Sequence, residues 1–335
     1  MYKKVIKINF KYFGDVFNPE DNLFTNSLRK FYKVIISEKP DYLFYSIYPE
    51  KNIKHDVSKE GDLIKRISPR LYGALRKSYS KIVNFSIKGK LPLPPGNYKK
   101  IFVGLEYGKP NMKECDWAFG LHFEEEIKNP RYMRMSNRIT DYQLPNFGFP
   151  PEEKKIDFKK IKKEKTKFCN FIYSQDIPAR NNFFKELSKY KKIDAPGRCM
   201  TNMSPIKAKN ARESRRSENW VLTKLDFLRR YKFTIAFENF SAPGWTTEKL
   251  THPMLVNSIP LYVGHKDVNK DFNTKSFINF QDFGNMKDFI KYIIKVDQDE
   301  NLYKEILRAP WYKDSKMPKD FDNNRFFKRL KKIFD

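Results

Sequence analysis

Apolar and polar positions along the chain fall into an alternation of strand-like and helix-like stretches. Val5, Ile6, Ile8 and Phe10 are interleaved with charge and predict a first strand, with Gly14 and Asp15 in the turn after it. Residues 22–36 carry Leu23, Phe24, Leu28, Phe31, Val34 and Ile35 at helical spacing and predict a helix. Residues 41–47 read as a strand, and 50–97 are polar and less regular, ending in the rigid run of Pro92, Pro94 and Pro95. Short apolar runs at 100–104 and 115–120 predict buried strands. Residues 152–167 break the pattern: eight Lys and no sustained apolar period suggest a solvated interdomain linker. The alternation then resumes. Strands are expected at 168–173, 233–237, 261–263 and 277–280. Helices are expected at 179–190, from Leu222 to near Arg230, at 247–257 with Pro253 kinking it, and once or twice within 286–308. The run from Phe233 to Phe237 has no polar face, as in a central parallel strand buried on both sides. Strands alternating with helices argue for parallel α/β sheets. The expected organisation is an N-terminal domain at 1–151, the basic linker at 152–167, a C-terminal domain at 168–310 and a basic tail at 311–335, with two sheets facing a cleft.

Composition narrows the possibilities. The chain has 335 residues, enough for about two domains. Thirty Phe and nineteen Tyr can fill two cores, which excludes wholesale disorder. Three Cys and no Cys-x-x-Cys exclude a disulfide scaffold and a zinc ribbon, and none of the four His pairs at metal-ligand spacing. The formal charge of +27 would attract any polyanion: nucleic acid, an anionic membrane or a phosphorylated substrate. It is spread along the chain, however, and much of it reads as solvated surface. No stretch approaches the roughly 20 apolar residues of a spanning helix. The first ten residues lack an apolar signal core, so the cytoplasm is the expected location.

Candidate chemistry concentrates in the second half. Ligands on open α/β sheets bind beyond the carboxyl ends of the strands. Three clusters fall there: Glu238 and Asn239 after the strand at 233–237, Trp245 to Lys249 opening the next helix, and Arg180 at the start of the helix after 168–173. A helix N-terminus with an adjacent cation is an anion site, so Arg180 and Lys249 would clasp a diphosphate from two sides. Glu248 offers two acceptors for sugar or ribose hydroxyls. Taken singly, each has an ordinary structural reading, as a solvated cation, a carboxylate at a helix start or a carboxylate capping backbone N–H groups. Together they support a phosphorylated ligand without naming it.

The stretch Tyr231–Asn239, then Thr247–Lys249, Ser258–Gly264 and Asp271–Asn279, closely resembles the donor-site region of the α-1,3/4-fucosyltransferases, the inverting, GDP-fucose-dependent enzymes of glycosyltransferase family 10. The resemblance continues more loosely through Phe171–Ser174, Arg180 and Lys189–Tyr190. In the first half it touches Gly104–Glu106, Trp117–Gly120 and Arg131–Arg134. It implies a GT-B fold of two Rossmann-like domains, a C-terminal domain for GDP-fucose and an N-terminal domain for a glycan acceptor bearing an N-acetylglucosamine-type residue. It implies Glu106 as the base that takes the acceptor's proton, with Glu114 and Glu124–Glu126 as runners-up. Arg180 and Lys249 match the diphosphate ligands and Glu248 the carboxylate on the donor's sugar hydroxyls. Glu238, Asn239, Trp245, Tyr173 and Ser174 match positions around the donor. No metal is required on this reading, because side chains neutralise the diphosphate; Asp297 and Asp299 lie in the late helical region, away from the donor cluster.

The sequence also departs from the family's pattern. Trp245 stands where Tyr is common, Gly197 stands alone where a Gly pair is usual, Tyr107 follows Glu106 in place of a small or amide residue, and His252–Pro253 interrupts a usually more regular helix. In the tail, Phe326, Phe327, Leu330 and Phe334 line one face of a basic amphipathic helix, which suits either an anionic membrane surface or packing back on the first domain. The alternative functions are a GT-B transferase using another nucleotide sugar and a basic nucleic-acid-binding α/β protein. The second of these would gather its charge with exposed aromatics and would lack convergent carboxylates.

Overall fold

Two parallel sheets, each with helices, organise the chain in the computed structural model, which describes residues 3–14, 17–48, 92–104, 108–135, 150–206, 218–239 and 241–335. The chain divides into two compact units, 1–135 together with 324–335, and 136–323.

The first unit carries β1 (Val5–Phe13), β2 (Lys33–Ile36), β3 (Tyr42–Tyr48), β4 (Lys99–Val103), β5 (Trp117–Gly120) and β6 (Tyr132–Arg134), in the order β2-β1-β3-β4-β5-β6 and all parallel. The helix expected over 22–36 is only α1 (Leu23–Leu28), capped by Asn22. Beyond it the β-branched run Val34-Ile35-Ile36 pairs with Ile6 to Ile8 as β2. Helical spacing and a partly exposed edge strand place the same residues apolar there, and sheet pairing decides the conformation. A short helix, α2 (Glu124–Ile127), precedes β6.

The second unit carries α3 (Phe158–Glu164), β7 (Lys167–Asn170), α4 (Pro178–Ser188), β8 (Ile193–Asp194), α5 (Glu218–Leu228), β9 (Tyr231–Phe237), α6 (Glu248–Leu255), β10 (Ile259–Val263), β11 (Ile278–Asn279), α7 (Met286–Gln298) and α8 (Glu300–Arg308). Its strand order is β11-β10-β9-β7-β8, again all parallel. The order reverses between β7 and β9, which makes their carboxyl ends the topological switch point where such sheets take ligands. The central β9 has Phe233, Ile235, Ala236 and Phe237 buried, as its apolar run requires. Within the basic stretch 152–167, Asp157 caps α3 and Ile161 enters the core of this unit, so that stretch is part of the fold and not a free linker. Pro253 falls in the last turn of α6, which ends at Leu255. Asp299 caps α8 and breaks the 286–308 region into two helices.

The tail divides. Trp311, Tyr312 and Phe321 belong to the core of the second unit. The last helix, α9 (Asn323–Phe334), packs on the first unit, with Phe326, Leu330, Ile333 and Phe334 buried. Phe326 meets Phe24 and Phe119, Phe334 meets Tyr42 and Phe44, and Lys4 donates to the Phe334 carbonyl at 2.7 Å. Each such burial is worth about 1.5–3 kcal/mol. The membrane-facing reading of this helix is thereby corrected: the apolar face that would enter a bilayer is occupied by the sheet. Among the described residues no helix is long and apolar enough to cross a membrane.

Candidate active site

The switch point of the second unit gathers the residues singled out in its sequence. Tyr173 follows β7, Glu238 and Asn239 follow β9, Arg180 lies in the first turn of α4, and Glu248 and Lys249 open α6. Thr247 is the N-cap of α6: its backbone is extended and its hydroxyl accepts from the Lys249 N–H. The turn before it is made by Gly244 at φ 74°, and the Trp245 N–H donates to the Ala242 carbonyl at 3.1 Å. Trp245 itself is buried.

Arg180 is only 1% exposed, so its placement is wholly determined by the protein. Its guanidinium lies 3.6 Å from the ring centre of Tyr173 and donates to Asn239 Oδ1 at 2.9 Å and to the Gln175 carbonyl at 2.6 Å. The Tyr173 hydroxyl is taken up by backbone, accepting from the Phe237 N–H at 2.7 Å and lying 2.9 Å from the Ile235 carbonyl. Burial pushes its pKa up to about 12 against the opposing pull of Arg180 and Lys249. Tyr173 is therefore a platform for Arg180. Gly197 passes so close behind it that a Cβ would collide with the Tyr173 backbone, and the Cys199 N–H donates to the Tyr173 carbonyl at 3.0 Å. The lone Gly of that loop thus serves packing.

Lys249 is the second cation. Its Nζ lies 3.2 Å from Thr247 Oγ1, 3.5 Å from Glu238 Oε2 and 3.8 Å from Glu248 Oε1. Burial alone would lower its pKa, but Glu248 and Glu238 outweigh it and hold the ammonium charged, while Arg180 acts in the opposite sense. That mutual action puts the two cations in one field. For Glu248, burial favours the neutral acid, but Lys249, Lys224 and His252 override it and keep the carboxylate ionised. Its charge at the start of α6 also suits the helix dipole. Glu238 shows the opposite balance: burial raises its pKa, and Lys249 offsets only part of that.

Ser174 is exposed at the same end of the sheet, and Asn239 is half-buried against Arg180. Glu106, with Tyr107, lies outside the described residues. Of the runners-up for the base, Glu114 is exposed, Glu124 is ion-paired with Arg325, and Glu126 lies 3.2 Å from His122 Nδ1. Among the described residues no group of His, Cys, Asp and Glu could hold a metal ion. Thr247 joins the site as a residue beyond those singled out in the sequence, although a hydroxyl residue immediately before Glu-Lys and an apolar period is a readable helix start.

Two fixed cations and a carboxylate at the mouth of a doubly wound sheet make a site for an anionic, hydroxyl-bearing ligand. A family model described as glycosyltransferase family 10 (fucosyltransferase), C-terminal, matches residues 161–332, which include every one of these groups. The chain belongs to glycosyltransferase family 10. A second family model, the N-terminal domain of α-(1,3)-fucosyltransferase FucT, matches residues 8–60. The α-(1,3)-fucosyltransferase FucT of Helicobacter pylori is 29% identical over 239 residues, covering 63% of this chain and 47% of that protein. The chain spans less than half the length of the curated relatives it matches first. A crystal structure of an α1,3-fucosyltransferase superposes with a TM-score of 0.65 at 23% identity, over 99% of this chain and 89% of the other. One described as an α1,3-fucosyltransferase with GDP-fucose superposes at 0.61 and 20% identity, over 98% and 91%. These structures share the α/β fold of GT-B type, with two parallel sheets.

Proposed function

We propose that this family 10 protein transfers L-fucose from GDP-fucose, with inversion, to a hydroxyl of an N-acetylglucosamine-type residue in a glycan, forming an α-1,3 or α-1,4 linkage. The observation that carries the reading is the convergence of buried Arg180 and half-buried Lys249 at the switch point of the unit that matches the family's fucosyltransferase domain. In the step itself, the acceptor oxygen forms a bond to the anomeric carbon as the bond from that carbon to the β-phosphate oxygen breaks. The electron pair leaves with GDP, and the acceptor's proton passes to a carboxylate, assigned from the sequence to Glu106. Negative charge grows on the departing diphosphate, where preorganised cations act on the transition state. Arg180 and Lys249 take that role, with no metal required, and Glu248 accepts from the sugar hydroxyls.

The test is a transfer assay. GDP-fucose is offered with N-acetyllactosamine or with its β-1,3-linked isomer, with and without EDTA, and the linkage of the product is determined. Fucosylated product formed equally in EDTA is expected. Transfer from GDP-mannose or a UDP-sugar in place of GDP-fucose would overturn the donor assignment.

A further inference from the structure

Glu238 matches a position around the donor by resemblance, yet its side chain is only 1% exposed and both of its oxygens are already used. Oε1 accepts from the Thr247 N–H at 2.8 Å and Oε2 accepts from the Thr247 hydroxyl at 2.8 Å. A hydroxyl has one proton, so with that proton committed to Glu238 the lone pairs of Thr247 Oγ1 must face elsewhere. They face Lys249, whose backbone N–H lies 3.3 Å away and whose Nζ lies 3.2 Å away. The carboxylates lie farther from Nζ, at 3.5 and 3.8 Å. The ammonium is therefore oriented by a neutral oxygen at shorter range than by either acid of its two ion pairs.

We infer that Glu238 is a positioning residue: acting through the Thr247 hydroxyl, it aims the Lys249 ammonium at the ligand's diphosphate and does not itself touch the nucleotide sugar. The inference rests on the proposed GDP-fucose site. It assigns Thr247 and Glu238 a role in phosphate recognition and leaves sugar recognition to Glu248. The Thr247 methyl contributes nothing to it; the hydroxyl is the functional part.

The experiment titrates GDP, GDP-fucose and guanosine into the wild type and into Glu238→Gln, Thr247→Val and Thr247→Ser, with melting curves for each protein. Gln can keep an oxygen on the Thr247 N–H only by placing its amide N–H₂ against Thr247 Oγ1, which removes the acceptor that fixes the hydroxyl. Val keeps the shape of Thr and removes the oxygen. Glu238→Gln and Thr247→Val are each expected to weaken GDP and GDP-fucose alike, by about tenfold, the scale of one charge-assisted hydrogen bond. Guanosine, which has no phosphate, should change by less than about twofold on the same argument. Thr247→Ser, which keeps the hydroxyl, should lose less than Thr247→Val. Weakening of GDP-fucose alone would mean that Glu238 touches the sugar and would overturn the inference. Equal loss of guanosine would indicate a general structural role and would also overturn it, as would unchanged binding of all three. A wild type that does not bind GDP would defeat the underlying reading of the site, a result visible before any variant is made.

Discussion

The second unit pairs carboxylates with lysines at both ends of its central strands, and the two ends use them differently. Around the residues that open β7 and β9, Asp297 takes Lys191 and Lys232 at 2.5 Å each, together with the Tyr190 hydroxyl at 3.0 Å. Asp194 takes Lys167 at 2.6 Å and the Tyr231 hydroxyl at 2.8 Å. These are closed ion pairs at contact distance. At the carboxyl ends, Lys249 stands 3.5 and 3.8 Å from its acids, and Arg180 is held by neutral oxygens and an aromatic face. The residue types are the same. What marks the second set as a ligand site is that its two cations, one in longer ion pairs and one stacked on Tyr173, meet at the switch point of the sheet.

Substitutions test that contrast. The largest effect is expected for Lys249→Ala, which removes a fixed cation from the anion site and should weaken GDP about 10- to 100-fold, measured by calorimetry. Arg180→Lys should cost nearly as much, because an ammonium cannot both stack on Tyr173 and donate as a planar fork to Asn239 and the Gln175 carbonyl. Asp297→Asn should behave in the opposite way. GDP affinity should stay within about twofold, while stability falls by about 1–2 kcal/mol, a modest figure because Lys191 and Lys232 are partly exposed. A weakened GDP affinity in that variant would erase the distinction between the two ends.

Acidity gives a smaller and signed test. Asp297 is buried, which favours its neutral form, but hydrogen bonds from Lys191 and Lys232 win and hold its pKa below the ordinary aspartate value. Its contribution to stability is present above about pH 4 and lost as pH falls through its lower native value. Asp297→Asn should therefore flatten acid unfolding, as followed by melting temperature against pH. Glu238 carries the reverse sign: with its pKa raised, the stability it adds is present at low pH and lost as pH rises through that value. The melting-temperature difference between the wild type and Glu238→Gln should accordingly shift in favour of the variant as pH rises, even as the variant binds GDP less well.

Much of this site is legible in the sequence because its parts are local. The apolar run Phe233–Phe237 announces a central strand, Glu238 and Asn239 follow it, and Thr247-Glu248-Lys249 opens a helix. What sequence does not reveal is which of these side chains face a ligand. Glu238 and Tyr173 have the right place in the chain but spend their polar atoms on Thr247 and on backbone. The Asp297 cluster is invisible for another reason: its lysines are 65 and 106 positions away and meet it only through the fold. The last helix shows a readable apolar stripe, but only the folded chain shows that Phe24, Tyr42, Phe44 and Phe119 cover it. At Val34 and Ile35, a helical period and a β-branched edge strand make the same pattern, and pairing with β1 decides.

The central claim is that Arg180 and Lys249 form the diphosphate grip of a GDP-fucose site. Calorimetric titration of GDP-fucose into the wild type and into the Arg180→Ala/Lys249→Ala double variant tests it most directly. The account predicts saturable one-site binding to the wild type, and at least about 100-fold weaker binding to a double variant that still melts cooperatively. Undiminished affinity in that folded double variant would contradict it.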